Sequence, residues 1–258
     1  MKKLVIANWK MNPESLDEAR KLVSSWEHRM HLVKNAEVVV CAPNIFLPAL
    51  FHYTHNVKLG AQNMSWEEKG AFTGEISPTQ LKPFKTEFVL LGHSERRLFF
   101  GENDGMVNIK LHAALKHKIT PVVCLGGEKD AVEADMKKLV TKQFNAAIKE
   151  VPDNQMKRVV FVYEPTWAIS STKNSKPASG EHAEELILHI QSLLADKLGS
   201  KERARTVKIL YGGTVNKKDA HEFAKYPEID GALVGAASLE SDNFWEVIKE
   251  FEREAVHK

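Results

Sequence analysis

Residues 159–180 read VVFVYEPTWAISSTKNSKPASG. An apolar, β-branched run ends in a carboxylate, Glu164, followed by Pro165, Trp167 and a stretch of small, polar or basic residues. A buried strand that delivers an acid at its end holds that acid rigidly, as a general base acting at one fixed carbon must be held. Other short apolar runs end comparably. LVIANWK brings Asn8 and Lys10, FVLLGHSERR brings His93 and Glu95, VKILYGGT ends in Gly213 and Thr214, and GALVGAAS ends in Gly235 and Ala236. A carboxylate and a neutral imidazole suit proton transfer next to a carbonyl, the imidazole donating a hydrogen bond to the oxygen as an enediolate forms. The positive end of a helix beginning at Ser94 would favour the uncharged ring of His93. Lys10 would offer fixed charge to the oxyanion or to a phosphate. The glycine turns would turn backbone N–H groups toward that phosphate. The loop from Pro165 would cover the reaction and exclude water.

Each feature also has a bland reading. Glu164 could be a helix cap or half of a salt bridge, His93 could mark a helix start, and Lys10 could be a solvated charge. A Gly-Gly pair is more often a turn than a phosphate cradle. None of these readings predicts that all the features fall at the carboxyl ends of strands.

The strand candidates are 4–8, 37–42, 57–62, 88–92, 121–125, 158–163, 207–212 and 231–235. Between them lie amphipathic segments at helical spacing, among them 15–30 (Leu16, Ala19, Leu22, Val23, Trp26), 132–148, 182–198 and 241–255. No Asn-Gly hairpin turn joins two strands, so the sheet is expected to be parallel. A dinucleotide-type doubly wound sheet expects G-x-G-x-x-G after an early strand, and the first strand here ends in NWK. Eight strand–helix units in 258 residues match a closed (β/α)8 barrel instead. No linker or composition shift divides the chain, so one domain is expected over 1–258.

Composition narrows the rest. The chain is 43% hydrophobic and 27% charged, with a formal net charge of +2. That balance is too mild to imply nucleic acid, though it suits an anionic ligand weakly. No apolar run approaches the roughly 18 residues of a membrane span. LVIA is too short for a secretory core, and the two cysteines each close a strand-like run, so a reducing, cytoplasmic setting is expected.

The stretches NWKMN (8–12), GAQN (60–63), GAFTGEIS (70–77), GHSERR (92–97), YEPTWAI (163–169), YGGTV (211–215) and LVGAASL (233–239) resemble the triosephosphate isomerases, in order and over essentially the whole chain. The resemblance implies a (β/α)8 TIM barrel that interconverts dihydroxyacetone phosphate and D-glyceraldehyde 3-phosphate. It implies Glu164 as base, His93 as electrophile and proton shuttle, Lys10 as electrostatic anchor and Asn8 as an orienting group. Glu95 would follow the family's supporting acid after the histidine. Phosphate would be held at Ser170, Gly213, Thr214, Gly235 and Ala236. A homodimer is implied, with Thr73 and Gly74 reaching the neighbouring subunit and Gln62 and Glu75 supporting that contact. No cofactor and no metal is implied.

Three departures stand out. SSTKNSKP replaces the family's glycine-containing lid before Ala178-Ser179, Ala236 stands where a glycine is expected, and CLGGE (124–128) carries an extra glycine. A side chain at Ala236 would crowd a phosphate if φ there were positive. Two other readings remain beside the isomerase: a barrel enzyme for a different phosphorylated aldose or ketose, and a non-catalytic binding homologue. The latter predicts loss of Lys10, His93 or Glu164, and all three are present.

Overall fold

The structure, a computed structural model, describes residues 2–127, 133–165, 167 and 178–255. Its strands are β1 (Lys3–Asn8), β2 (Ala36–Ala42), β3 (Lys58–Ala61), β4 (Thr86–Leu91), β5 (Thr120–Leu125), β6 (Val160–Tyr163), β7 (Lys208–Tyr211) and β8 (Gly231–Val234). All neighbours pair in parallel, and β8 closes onto β1 through Leu4 opposite Gly231 and Ala7 opposite Val234. The expected closed parallel barrel is therefore present, within a residue or two of the anticipated strands.

Strand periodicity explains the layering. Side chains alternate across each strand, so Leu4, Ile6, Val39, Cys41, Phe88, Leu90, Val122, Cys124, Val160, Val162, Leu210 and Leu233 fill the barrel interior as one cluster. The alternate positions, such as Val5, Ala7, Val89, Phe161 and Tyr163, face outward into a second layer shared with the helices. Both faces are buried, hence the near-continuous apolar runs.

The principal helices are α1 (Leu16–Glu27), α5 (Asp104–Lys116), α6 (Met136–Ala147), α7 (Gly180–Leu198) and α10 (Ser241–Glu254), with the shorter α2 (Leu47–Leu50), α3 (Pro78–Leu81), α4 (Ser94–Phe100), α8 (Lys201–Ala204) and α9 (Ala220–Ala224) among them. Ser15 caps α1 by accepting from the Glu18 N–H at 3.3 Å, and the helix buries Ala19, Val23 and Trp26. Ser179 caps α7 in the same way, and Gly199 in the left-handed region stops it. α6 starts at Met136, while Val132 lies outside the described residues. α5 has no clean apolar stripe because Lys110 shares its buried face with Val107, Leu111, Ala114 and Leu115. Its ammonium is paired to Glu102 Oε1 at 3.0 Å and Asn63 Oδ1 at 2.8 Å, which is how a cation survives there. Among the described residues, no helix is long and apolar enough to cross a membrane.

Candidate active site

The carboxyl ends of the strands converge on a cavity of about 380 Å³ lined by Asn8, Lys10, His93, Glu164, Gly213, Thr214, Gly235 and Ala236. That is room for a small phosphorylated molecule. Five different strands supply these residues, so closure of the barrel brings them together.

Glu164 extends β6 by one step. Its N–H donates to Leu125 O at 2.7 Å, while the Gly212 N–H donates to Tyr163 O at 2.8 Å, so the backbone on both sides is held by neighbouring strands. The side chain is 1% exposed. Its Oε2 accepts the Ser94 N–H at 3.0 Å, and Oε1 lies 3.3 Å from His93 Nε2. Gly212 permits this placement, because a Cβ there would lie 2.9 Å from Glu164 Cγ.

His93 is both the cap of α4 and a wall of the cavity, so the bland and the chemical readings of this residue hold together. Its Nδ1 accepts the Glu95 N–H at 3.3 Å. A nitrogen that accepts carries no proton, which puts the proton of the neutral ring on Nε2, facing Glu164 and the cavity. Asn8 Nδ2 lies 3.2 Å from Nε2, a contact that is a hydrogen bond only for the opposite tautomer. Asn8 Oδ1 accepts the Lys10 N–H at 3.1 Å and thereby fixes the turn after β1.

Lys10 sits at a φ of 54°, a region that side chains with a Cβ enter at a cost. Its ammonium pairs with Glu95 Oε1 at 2.7 Å, and Glu95 Oε2 is 3.8 Å from His93 Nδ1. Gln62 Nε2 donates to Lys10 O at 2.7 Å and to Cys41 O at 2.9 Å. It therefore supports the strained lysine from below, a role that its motif did not disclose.

At the opposite wall, Ala236 opens the turn Ala236–Leu239 and is not among the residues with positive φ. The crowding anticipated for its Cβ thus lacks its condition. The extra glycine of CLGGE has a packing reason: a Cβ at Gly127 would lie 2.6 Å from Ser94 Cβ and 2.7 Å from Ser94 Cα. Glu128, Thr166 and residues 168–177, Ser170 among them, lie outside the described residues.

Sequence reasoning missed two contributions. Gln143 is buried on α6 and accepts the Gly126 N–H at 2.7 Å, steadying the β5 turn beside Glu164. A lone glutamine beside Phe144 in an apolar stripe was the available signal. Lys217 and Lys218 line the cavity next to Asn216, a basic pair written one residue after YGGTV, and Glu240 lines it as well.

Thr73, Gly74 and Glu75 stand on an exposed loop whose base is closed by the Ser65 N–H donating to Ile76 O at 2.8 Å. Gly74 and Glu75 border a second pocket behind Lys10 and His93, together with Met11, Asn44, Gln62 and Phe100. Met11 is 94% and Phe100 68% exposed, and such apolar patches commonly mark contacts between chains.

A family model described as triosephosphate isomerase matches residues 3–251. A protein of Alkaliphilus oremlandii named triosephosphate isomerase is 44% identical over 252 residues, covering 96% of this chain and 99% of its own. Proteins of the same name from Clostridium tetani and Chloroflexus aurantiacus are each 42% identical, over 96% and 95% of this chain and 96% and 97% of theirs. Agreement of that extent covers every strand of the barrel and every turn at its mouth, and on it the chain belongs to the triosephosphate isomerase family.

Proposed function

We propose that the chain interconverts dihydroxyacetone phosphate and D-glyceraldehyde 3-phosphate through an enediolate, with Glu164 as the base. The observation that carries this reading is the shared cavity of Lys10, His93 and Glu164, with the carboxylate 3.3 Å from the imidazole. Glu164 takes the proton from the carbon beside the carbonyl, and the bonding electrons move to the carbonyl oxygen. His93 Nε2–H gives its proton to that oxygen and takes up the proton of the adjacent hydroxyl, so the two oxygens exchange roles, and Glu164 returns its proton to the former carbonyl carbon. A carboxylate base working with an uncharged histidine is the established pattern of this family. The Lys10 ammonium, oriented by Glu95, stabilises the oxyanion. Backbone N–H groups of Gly213, Thr214, Gly235 and Ala236 hold the phosphate, and Lys217 and Lys218 add positive potential at the entrance.

The chain acts as one domain and as a homodimer in the cytoplasm. The exposed 65–76 loop and the pocket behind Lys10 are complementary in kind, a projection and a recess. Two copies exchanging them would cover Met11 and Phe100 and bring Thr73 of each toward the other's site. Sedimentation of Met11→Glu against the unaltered chain tests this, and a monomeric unaltered chain rejects it.

The activity is tested by following each triose phosphate in a coupled assay. Turnover in both directions is expected, with Glu164→Ala folded but about 10²–10⁴-fold slower. Near-full turnover in that variant removes Glu164 from the role of base.

A further inference from the structure

Tyr163 immediately precedes Glu164, and its side chain is fully buried. Among the described residues its hydroxyl makes one hydrogen bond, to His182 Nε2 at 2.8 Å. His182 lies in the first turn of α7, where its N–H donates to Ser179 Oγ at 3.2 Å. Its ring is only 12% exposed, and Nδ1 is 3.1 Å from Glu133 Oε1. The indole of Trp167 meets the imidazole edge-on, with centroids 5.6 Å apart. A carboxylate, an imidazole and a phenol thus form a chain that ends one residue from the candidate base.

The direction of each bond follows from what each group can do. A carboxylate only accepts, so Nδ1 carries a proton. In the neutral ring Nε2 keeps its lone pair and accepts the phenol O–H. Burial, reinforced by Tyr211 and then by the charges of Glu133 and Glu185, pushes Tyr163 well above its ordinary range, so it stays an O–H. A second proton on the ring makes Nε2 a donor. The phenol oxygen then accepts, and its own hydrogen loses its partner in the interior, which is costly.

We propose that His182 is a positioning residue for Glu164: through its hydrogen bond to Tyr163 it fixes the end of β6 that carries the carboxylate. Among the described residues, the charged and titratable groups facing the ring are Glu133 from the 133–135 turn, Tyr163 from β6 and Glu185 from α7 itself. Glu185 is in turn paired with Lys137 of α6 at 2.6 Å. Trp167 contributes an uncharged face. The inference rests on the reading of Glu164 as base.

Steady-state kinetics of the full chain and of His182→Gln, His182→Ala and Tyr163→Phe test it, with thermal midpoints measured alongside. Glutamine can accept from the phenol and donate to Glu133 but cannot take up a proton. At about pH 8 its kcat is expected within about twofold of the unaltered chain, since both bonds survive. His182→Ala and Tyr163→Phe are each expected to lose about tenfold in kcat with little change in KM, because the base is displaced rather than removed. The double variant should be no slower than either single one. Unchanged kcat in Tyr163→Phe, additive losses in the double variant, or a His182→Gln variant as slow as His182→Ala would each overturn the proposal. Should His182→Ala fail to fold, kcat of Tyr163→Phe and of His182→Gln decide it alone. Near-full turnover in Glu164→Ala is a separate result, which removes the base and this inference with it.

Discussion

The backbone N–H of Ser94 donates to Glu164 Oε2 at 3.0 Å, while the residue before it, His93, places Nε2 3.3 Å from Oε1. One turn of chain after β4 therefore handles both oxygens of the carboxylate delivered by β6. The distance between base and imidazole is fixed by backbone packing as much as by side-chain choice.

Glu164→Asp tests that arrangement. An aspartate is shorter by one methylene and cannot keep both the Ser94 N–H and its approach to His93. A displacement of this size commonly costs about 10²-fold, so kcat should fall by that order with the circular dichroism unchanged. A loss of less than about threefold would show that the carboxylate position is not critical.

Gly127→Ala should injure the same pair from behind. Its Cβ would meet Ser94 Cβ at 2.6 Å and Cα at 2.7 Å, and one of those atoms belongs to backbone that cannot rotate away. Overpacking of this kind costs about 1–3 kcal/mol. Urea unfolding should report a lower midpoint, and turnover should fall in parallel because Ser94 moves. Unaltered unfolding and turnover would mean that the turn yields freely.

Glu102 joins two cations. Its Oε1 accepts from Lys110 Nζ at 3.0 Å and its Oε2 from Arg96 Nε at 2.6 Å, with Glu102 and Lys110 both buried. Glu102→Ala leaves Lys110 with Asn63 alone, and an uncompensated buried charge costs about 3–5 kcal/mol. Denaturant titration should show that loss, and a change below about 1 kcal/mol would mean that water or a relaxed Lys110 replaces the carboxylate.

The two thiols should be silent in the native protein. Cys41 and Cys124 are both buried inside the barrel, and burial pushes each thiol far above its ordinary range, with Glu164 adding to the effect at Cys124. Thiolate is the reactive form, so iodoacetamide should label neither residue until denaturant is added, and then both. Rapid labelling of the native chain would show that the barrel opens readily.

What the linear chain disclosed was local. Alternation with period two and spacing of three to four mark strands and helices because each is a property of adjacent residues. α5 escaped that test because Lys110 interrupts its buried face, and its partners Glu102 and Asn63 come from outside the helix. Asn8, Lys10, His93 and Glu164 were legible as chemical residues at strand ends. Their convergence, the approach of Glu164 to His93 and to the Ser94 N–H, and the tie from Glu133 through His182 to Tyr163 were decided only by the closed barrel. The physical reason is separation along the chain: hydrogen bonds are short-ranged, and residues far apart in sequence can meet to make them only after the eight strands have closed.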